Sequence, residues 1–307
     1  MPIIKIYVLL CCFCLCISCA NEKAPTTTKV VNQPIEKKLP SKPVPAVKIN
    51  DQVFERTAIK ERLHQKIKNK EPLVVHLLVP LCDNDNQGIV KVSKSLGDGQ
   101  NLRSNLYWGA LYGIKTHFKK SADWKLIESI KSPDAKVLER VIFYKQFSNG
   151  AMVYLVADAY RGDRMEACLE DYFGALAGNK KGNQRMDTKA IELYAGADLI
   201  AFNGHNGLMD YPDFPMVPNT DEVYKDAVAV GCISQRFFKP YLLASKSYPL
   251  LMTTNLMAPE AYVMEAVINN WAMEKDGETI RKKAGDAYHQ YQKCGVKGAR
   301  RLFYSGW

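Results

Sequence analysis

Two apolar runs end in residues capable of nucleophilic chemistry: Leu199-Ile200-Ala201-Phe202-Asn203-Gly204-His205 and Ala227-Val228-Ala229-Val230-Gly231-Cys232. If both runs are buried strands of one sheet, His205 and Cys232 lie at their carboxyl ends and point into the same crevice. A thiol beside an imidazole is an activated nucleophile, because the imidazole takes the proton and the thiolate attacks an acyl carbon. The chemistry on offer is therefore acyl transfer, and the question becomes what holds the two side chains together.

The remaining apolar runs and helical periodicities supply the frame. Residues 73–79 (Leu-Val-Val-His-Leu-Leu-Val) form a near-continuous apolar run of the kind found in a buried parallel strand. The spacing predicts helices over 51–69, 102–119, 163–177, 235–244, 259–274 and 278–293, with a short one over 188–194. Strands are expected over 137–144 and 152–157, joined at the hairpin-like turn Ser148-Asn149-Gly150. Further strands are expected over 199–202, 227–230 and 250–253. Strands that alternate with helices and read as continuous apolar runs imply an α/β fold, a mainly parallel sheet flanked by helices on both faces. Ligands of such sheets bind outside the carboxyl ends of the strands, where His205 and Cys232 fall.

The first fifty residues are of a different character. Residues 2–18 are apolar apart from Lys5, and read as an export signal too short for a membrane span. The stretch Leu15-Cys16-Ile17-Ser18-Cys19 resembles the cleavage box of bacterial lipoproteins, with Cys16 standing where an aliphatic residue is usual. The resemblance implies removal of residues 1–18, lipidation of Cys19 and residence at the bacterial cell envelope, on its periplasmic or outer face. Residues 19–50, with Pro25, Pro34, Pro40, Pro43 and Pro45 among lysines and threonines, cannot bury a core and read as a disordered tether. The folded domain is then expected over 51–307, closing on a helical segment.

Composition narrows the functional classes. The chain carries 42 basic and 32 acidic side chains, a net charge of +10. The lysines spread through the tether and surface-like runs such as 66–70, which suits a solvated or membrane-facing surface. No zinc-finger spacing, phosphate-binding glycine loop or interleaving of basic and aromatic residues argues for a nucleic-acid partner. Five of the nine cysteines, Cys11, Cys12, Cys14, Cys16 and Cys19, belong to the leader and its cleavage site. Cys82, Cys168, Cys232 and Cys294 remain, and a nucleophilic Cys232 leaves at most one disulfide among them. His76 sits within an apolar strand and reads as a hydrogen-bonded core residue, while His64, His117 and His289 lack a second ligand at helical spacing. The loop Asp83 to Asn86 lacks the later glutamate and fixed glycine of a calcium loop. No metal and no cofactor are expected.

Gly204-His205 on one strand and Gly231-Cys232 on the next, in that order, resemble the caspase-like superfamily of cysteine peptidases, which includes caspases, metacaspases, legumains and gingipains. Ser234, two residues beyond Cys232, is similar to the Cys-x-Ser pattern of the legumain branch. Two positions depart: Asn206 follows the histidine where glycine is usual, and Gly231 replaces the more usual alanine or aspartate. The resemblance implies the caspase-hemoglobinase architecture and a polypeptide substrate. It also implies roles for named residues. Cys232 would be the nucleophile and His205 its base, the amides of Cys232 and the Asn206-Gly207 turn would hold the oxyanion, and Asp83, Asp85, Arg103, Thr254 and Asn255 would line the substrate pocket. Asp83 or Asp85 would favour a basic side chain and Arg103 an acidic one. Two alternatives accompany this reading: the same fold without activity, binding a peptide or protein partner, and an unrelated α/β envelope lipoprotein.

Overall fold

The computed structural model describes residues 55–186 and 190–307. The leader, the tether and Cys19 lie outside the described residues.

The centre of the domain is β1 (Leu73–Pro80), buried along its whole length. It pairs in parallel with β4 (Met152–Tyr160) on one side and β7 (Leu199–Asn203) on the other. Beyond β7 lie β8 (Lys225–Val230) and β9 (Ser247–Thr253), both parallel, then the short antiparallel β10 (Phe303–Tyr304). Beyond β4 lie antiparallel β3 (Val137–Gln146) and edge strand β2 (Lys125–Asp134). The five parallel strands thus stand in the spatial order second, first, third, fourth, fifth, and the order reverses at β1. A crevice opens beside such a reversal, at the carboxyl ends of the strands.

Both faces of the sheet are covered, which explains why its strands read as continuous apolar runs. Alternate residues divide between two cores: Val75, Leu77, Val79, Leu199, Ala201, Val228 and Val230 face one way. Val74, Leu78, Ile200, Phe202, Ala227 and Ala229 face the other. The first core is closed by α1 (Thr57–Lys68), α2 (Ile114–Lys120), α5 (Ala261–Ala272) and α6 (Gly277–Gln292). The second is closed by α3 (Met165–Leu176) and α4 (Ser234–Ala244). A last helix, α7 (Val296–Leu302), leads into β10.

Two expectations from helical spacing fail. Residues 102–113 form turns rather than a helix, and only Ile114–Lys120 is helical. Asn105 explains much of this, since its side chain accepts from the amides of Cys82 and Tyr107 and donates to the carbonyls of Cys82 and Asp98. Such side-chain bonds compete with the helix for backbone groups. Gly109 packs so closely that an added Cβ would lie 2.3 Å from the Leu102 carbonyl oxygen. Residues 190–194 form β6 (Ala190–Tyr194), paired antiparallel with β5 (Lys181–Arg185), because Ile191 and Leu193 alternate with exposed neighbours and turn together into the α3 side. The expected hairpin at 148–150 is present: Phe147 donates to Ala151 and Gly150 adopts φ +90°.

Three buried carboxylates tie the layers. Asp158 on β4 takes both Nε and Nη2 of Arg140 at 2.6 and 2.7 Å and the Nε2 of His76 at 3.0 Å. Asp226 on β8 takes Arg56 and the Trp271 indole. Glu139 accepts from Trp108, Lys115, Ser129 and Lys131. Burial alone would raise the Asp158 carboxyl, but the hydrogen bonds from Arg140 and His76 prevail and hold it at about 2. Glu139 is likewise pushed up by burial and brought down to about 2 by its lysine, indole and hydroxyl donors. Both groups sit below their unfolded values, so their stabilisation is fully present above pH about 4.5 and is lost as pH falls towards about 2. For Asp158 this is worth about 2 kcal/mol. Acid titration followed by tryptophan fluorescence should show unfolding concentrated in that window, and replacement of Glu139 by glutamine should flatten it.

Candidate functional site

The last register pair between β7 and β8 is Asn203 with Val230, so each strand runs two residues further to reach His205 and Cys232. The two ends stay in contact past the sheet. The Gly204 amide donates to the Val230 carbonyl at 3.1 Å. A Cβ on Gly231 would stand 2.8 Å from the Gly204 carbonyl oxygen, which gives a physical reason for glycine before the cysteine. Asn206 then clasps the pair: its Nδ2 donates to the Cys232 carbonyl at 2.7 Å, while its Oδ1 accepts from the Leu208 amide at 3.2 Å. Asn206 therefore joins the two strand ends.

His205 is 7% exposed, and its Nε2 lies 2.8 Å from Asp210 Oδ2. Asp210 reaches it because Gly207–Met209 form a single 3-10 turn, within which Met209 and Asp210 donate back to Asn206 and Gly207. The same carboxylate oxygen accepts from the Gly88 amide at 3.1 Å, linking the loop after β1 to the histidine. Asp210 was not singled out from the sequence. Its signal is an acid five residues beyond a histidine across a glycine-containing turn, which the apolar periodicities do not register.

Cys232 is partly buried, and its sulfur meets the Met257 backbone: Sγ donates to the Met257 carbonyl at 3.5 Å and accepts from the Met257 amide at 3.4 Å. No hydrogen bond joins the thiol to the His205 ring among the described residues. Burial pushes the Cys232 thiol up, with the Met257 amide acting in the opposite direction. Behind the cysteine, Ile233 adopts the left-handed conformation (φ 51°), and α4 starts at Ser234, whose hydroxyl donates to the Ala229 carbonyl at 2.6 Å. Thr253 closes this turn by donating to the Gly231 carbonyl. All four described cysteines are free.

The proposed pocket residues fall into two groups. Asp83 is buried and turned into its own loop, where it accepts from the amides of Asp85 and Asn86 and from the Asn86 side chain. Thr254 is held against the chain end, its hydroxyl donating to the carbonyls of Arg301 and Leu302. Asn255 accepts from Leu256 with its side chain and from Ile233 with its carbonyl. The Asp85 and Arg103 side chains stand in solvent, Asp85 4.0 Å from Lys91. The fold thus brings His205, Asn206, Asp210 and Cys232 together, with 254–257 beside the cysteine.

No group of three His, Cys, Asp or Glu is arranged to hold a metal ion among the described residues. No described helix is long and apolar enough to cross a membrane. Comparisons of the chain with family models, with curated proteins and with solved structures find no match.

Proposed function

We propose that the domain is a caspase-like cysteine endopeptidase in which Cys232 is the nucleophile, His205 the base and Asp210 the group that orients the imidazole. The observation that carries this reading is the placement of His205 and Cys232 at equivalent positions beyond two hydrogen-bonded parallel strands, clasped by Asn206. With Nε2–H donated to Asp210, Nδ1 is left as the basic nitrogen. The thiol proton passes to that nitrogen, the sulfur adds to the scissile carbonyl carbon, and the imidazolium returns the proton to the departing amine. Water then hydrolyses the thioester and regenerates the thiol. The amides of Cys232, Asn206 and Gly207 are the candidate oxyanion donors, since the turn's own bonds are donated by Leu208, Met209, Asp210 and Tyr211. Lipid on Cys19 would hold this domain at the bacterial cell envelope, with a polypeptide as substrate.

A mixture of internally quenched peptides of varied sequence, incubated with the protein, tests the proposal. Cleavage sensitive to thiol alkylation is expected, and none in any peptide overturns it. Asp210→Asn should lower kcat by roughly 10²- to 10⁴-fold with little change in KM, as expected of a residue that acts through the histidine. A second reading, the same fold binding a peptide without cutting it, is favoured by the thiol's bonds to Met257 rather than to His205. It predicts peptide binding that survives loss of the thiol.

A further inference from the structure

One stretch of chain, residues 254–260, runs across the ends of both chemistry-bearing strands. It leaves β9 at Thr254, whose amide donates to the Leu302 carbonyl at 2.8 Å, and at Asn255 it accepts from Ile233 at 3.0 Å. Met257 then takes both hydrogen-bonding capacities of the Cys232 sulfur. The Ala258 amide donates to Tyr288 Oη at 3.2 Å, and the Pro259 carbonyl accepts from Asn203 Nδ2 at 2.8 Å. Glu260 donates back to the Ala258 carbonyl at 2.9 Å, a γ-turn centred on proline that leads into α5.

We propose that residues 254–260 are an autoinhibitory strap that covers the Cys232 sulfur, and that the site opens when this segment is displaced. The inference rests on the peptidase reading. Three observations support it. The sulfur cannot bond His205 while its donor and acceptor roles are both spent on Met257, and its proton is then directed to the Met257 carbonyl rather than to a base. Asn203, the strap's anchor on β7, is fully buried yet leaves its Oδ1 without a partner, so the closed arrangement carries an unmet acceptor that an entering amide or water would satisfy. Leu256, next to Met257, is 58% exposed and gives a substrate or partner an apolar handle on the strap.

The test is the second-order rate of iodoacetamide with Cys232, read by peptide mapping on the full-length protein and two variants, with a peptidyl acyloxymethyl ketone as parallel probe. Tyr288→Phe removes the acceptor for Ala258 while keeping the ring against Phe303. Pro259→Gly frees the γ-turn and acts elsewhere, so it decides the matter if Tyr288→Phe folds poorly. Each variant should alkylate about five- to tenfold faster than the parent, the scale of one lost hydrogen bond, and the ketone should gain by a similar factor. Unchanged rates in folded variants overturn the strap and leave the peptidase reading standing. Faster alkylation with no ketone adduct in any variant overturns the peptidase reading, and the strap with it.

Discussion

Cys232→Ala and His205→Ala should each abolish peptide cleavage, with kcat falling roughly 10⁴- to 10⁶-fold, and the double variant should be no worse than either single one. The non-additivity follows from the proposed roles: without Nδ1 to receive its proton the thiol stays neutral, and without the thiol the base has nothing to activate. Folding should tolerate Cys232→Ala well. The cysteine is only partly buried, and what its sulfur loses is a pair of weak bonds to Met257. His205→Ala removes a ring that is 7% exposed and bound to Asp210, so its melting temperature should fall by a few degrees without loss of the sheet. A peptide-cleaving activity that persists in Cys232→Ala at a tenth of the parent rate would contradict the assignment of the nucleophile.

The largest effect on stability is expected from Asp158→Ala, on β4 beside Leu78 of β1. Asp158 is fully buried between Arg140, which it binds through two hydrogen bonds, and His76. Removing the carboxylate leaves a guanidinium that is 8% exposed with its charge uncompensated, which costs roughly 3–5 kcal/mol. The imidazole of His76 loses its Nε2 partner at the same time, although its Nδ1 still accepts from the Tyr194 amide. For a domain whose whole stability is on the order of 5–15 kcal/mol this is a large fraction. Urea unfolding should show a lower midpoint with an unchanged slope. A loss under about 1 kcal/mol would mean that the cluster stabilises less than its burial implies.

The parallel sheet was legible in the sequence because burial on both faces writes continuous apolar runs. Residues 73–79, 199–202 and 227–230 all fall on strands within two residues of their expected bounds. β2 was missed because its alternation of exposed and half-buried residues at a sheet edge lacks that signal. The stretch 102–113 misled because Leu106, Ala110, Ile114 and Phe118 recur every four residues, while Asn105 and Gly109 decide the backbone. Of the site, His205 and Cys232 stood out as chemistry at strand ends. Asp210 and Met257 did not, since one depends on a 3-10 turn and the other acts through its backbone, which every residue shares.

If Cys232 is a nucleophile built to meet a peptide carbonyl, a peptidyl acyloxymethyl ketone should form a covalent adduct with it. Burial pushes the Cys82 thiol up to about 12 and Cys168 is wholly enclosed, so neither should react in the native protein, whereas Cys294 is exposed and serves as the control for indiscriminate alkylation. One adduct is expected, mapped to Cys232 and absent from His205→Ala. An adduct only at Cys294, or labelling of Cys232 that does not depend on His205, would contradict it.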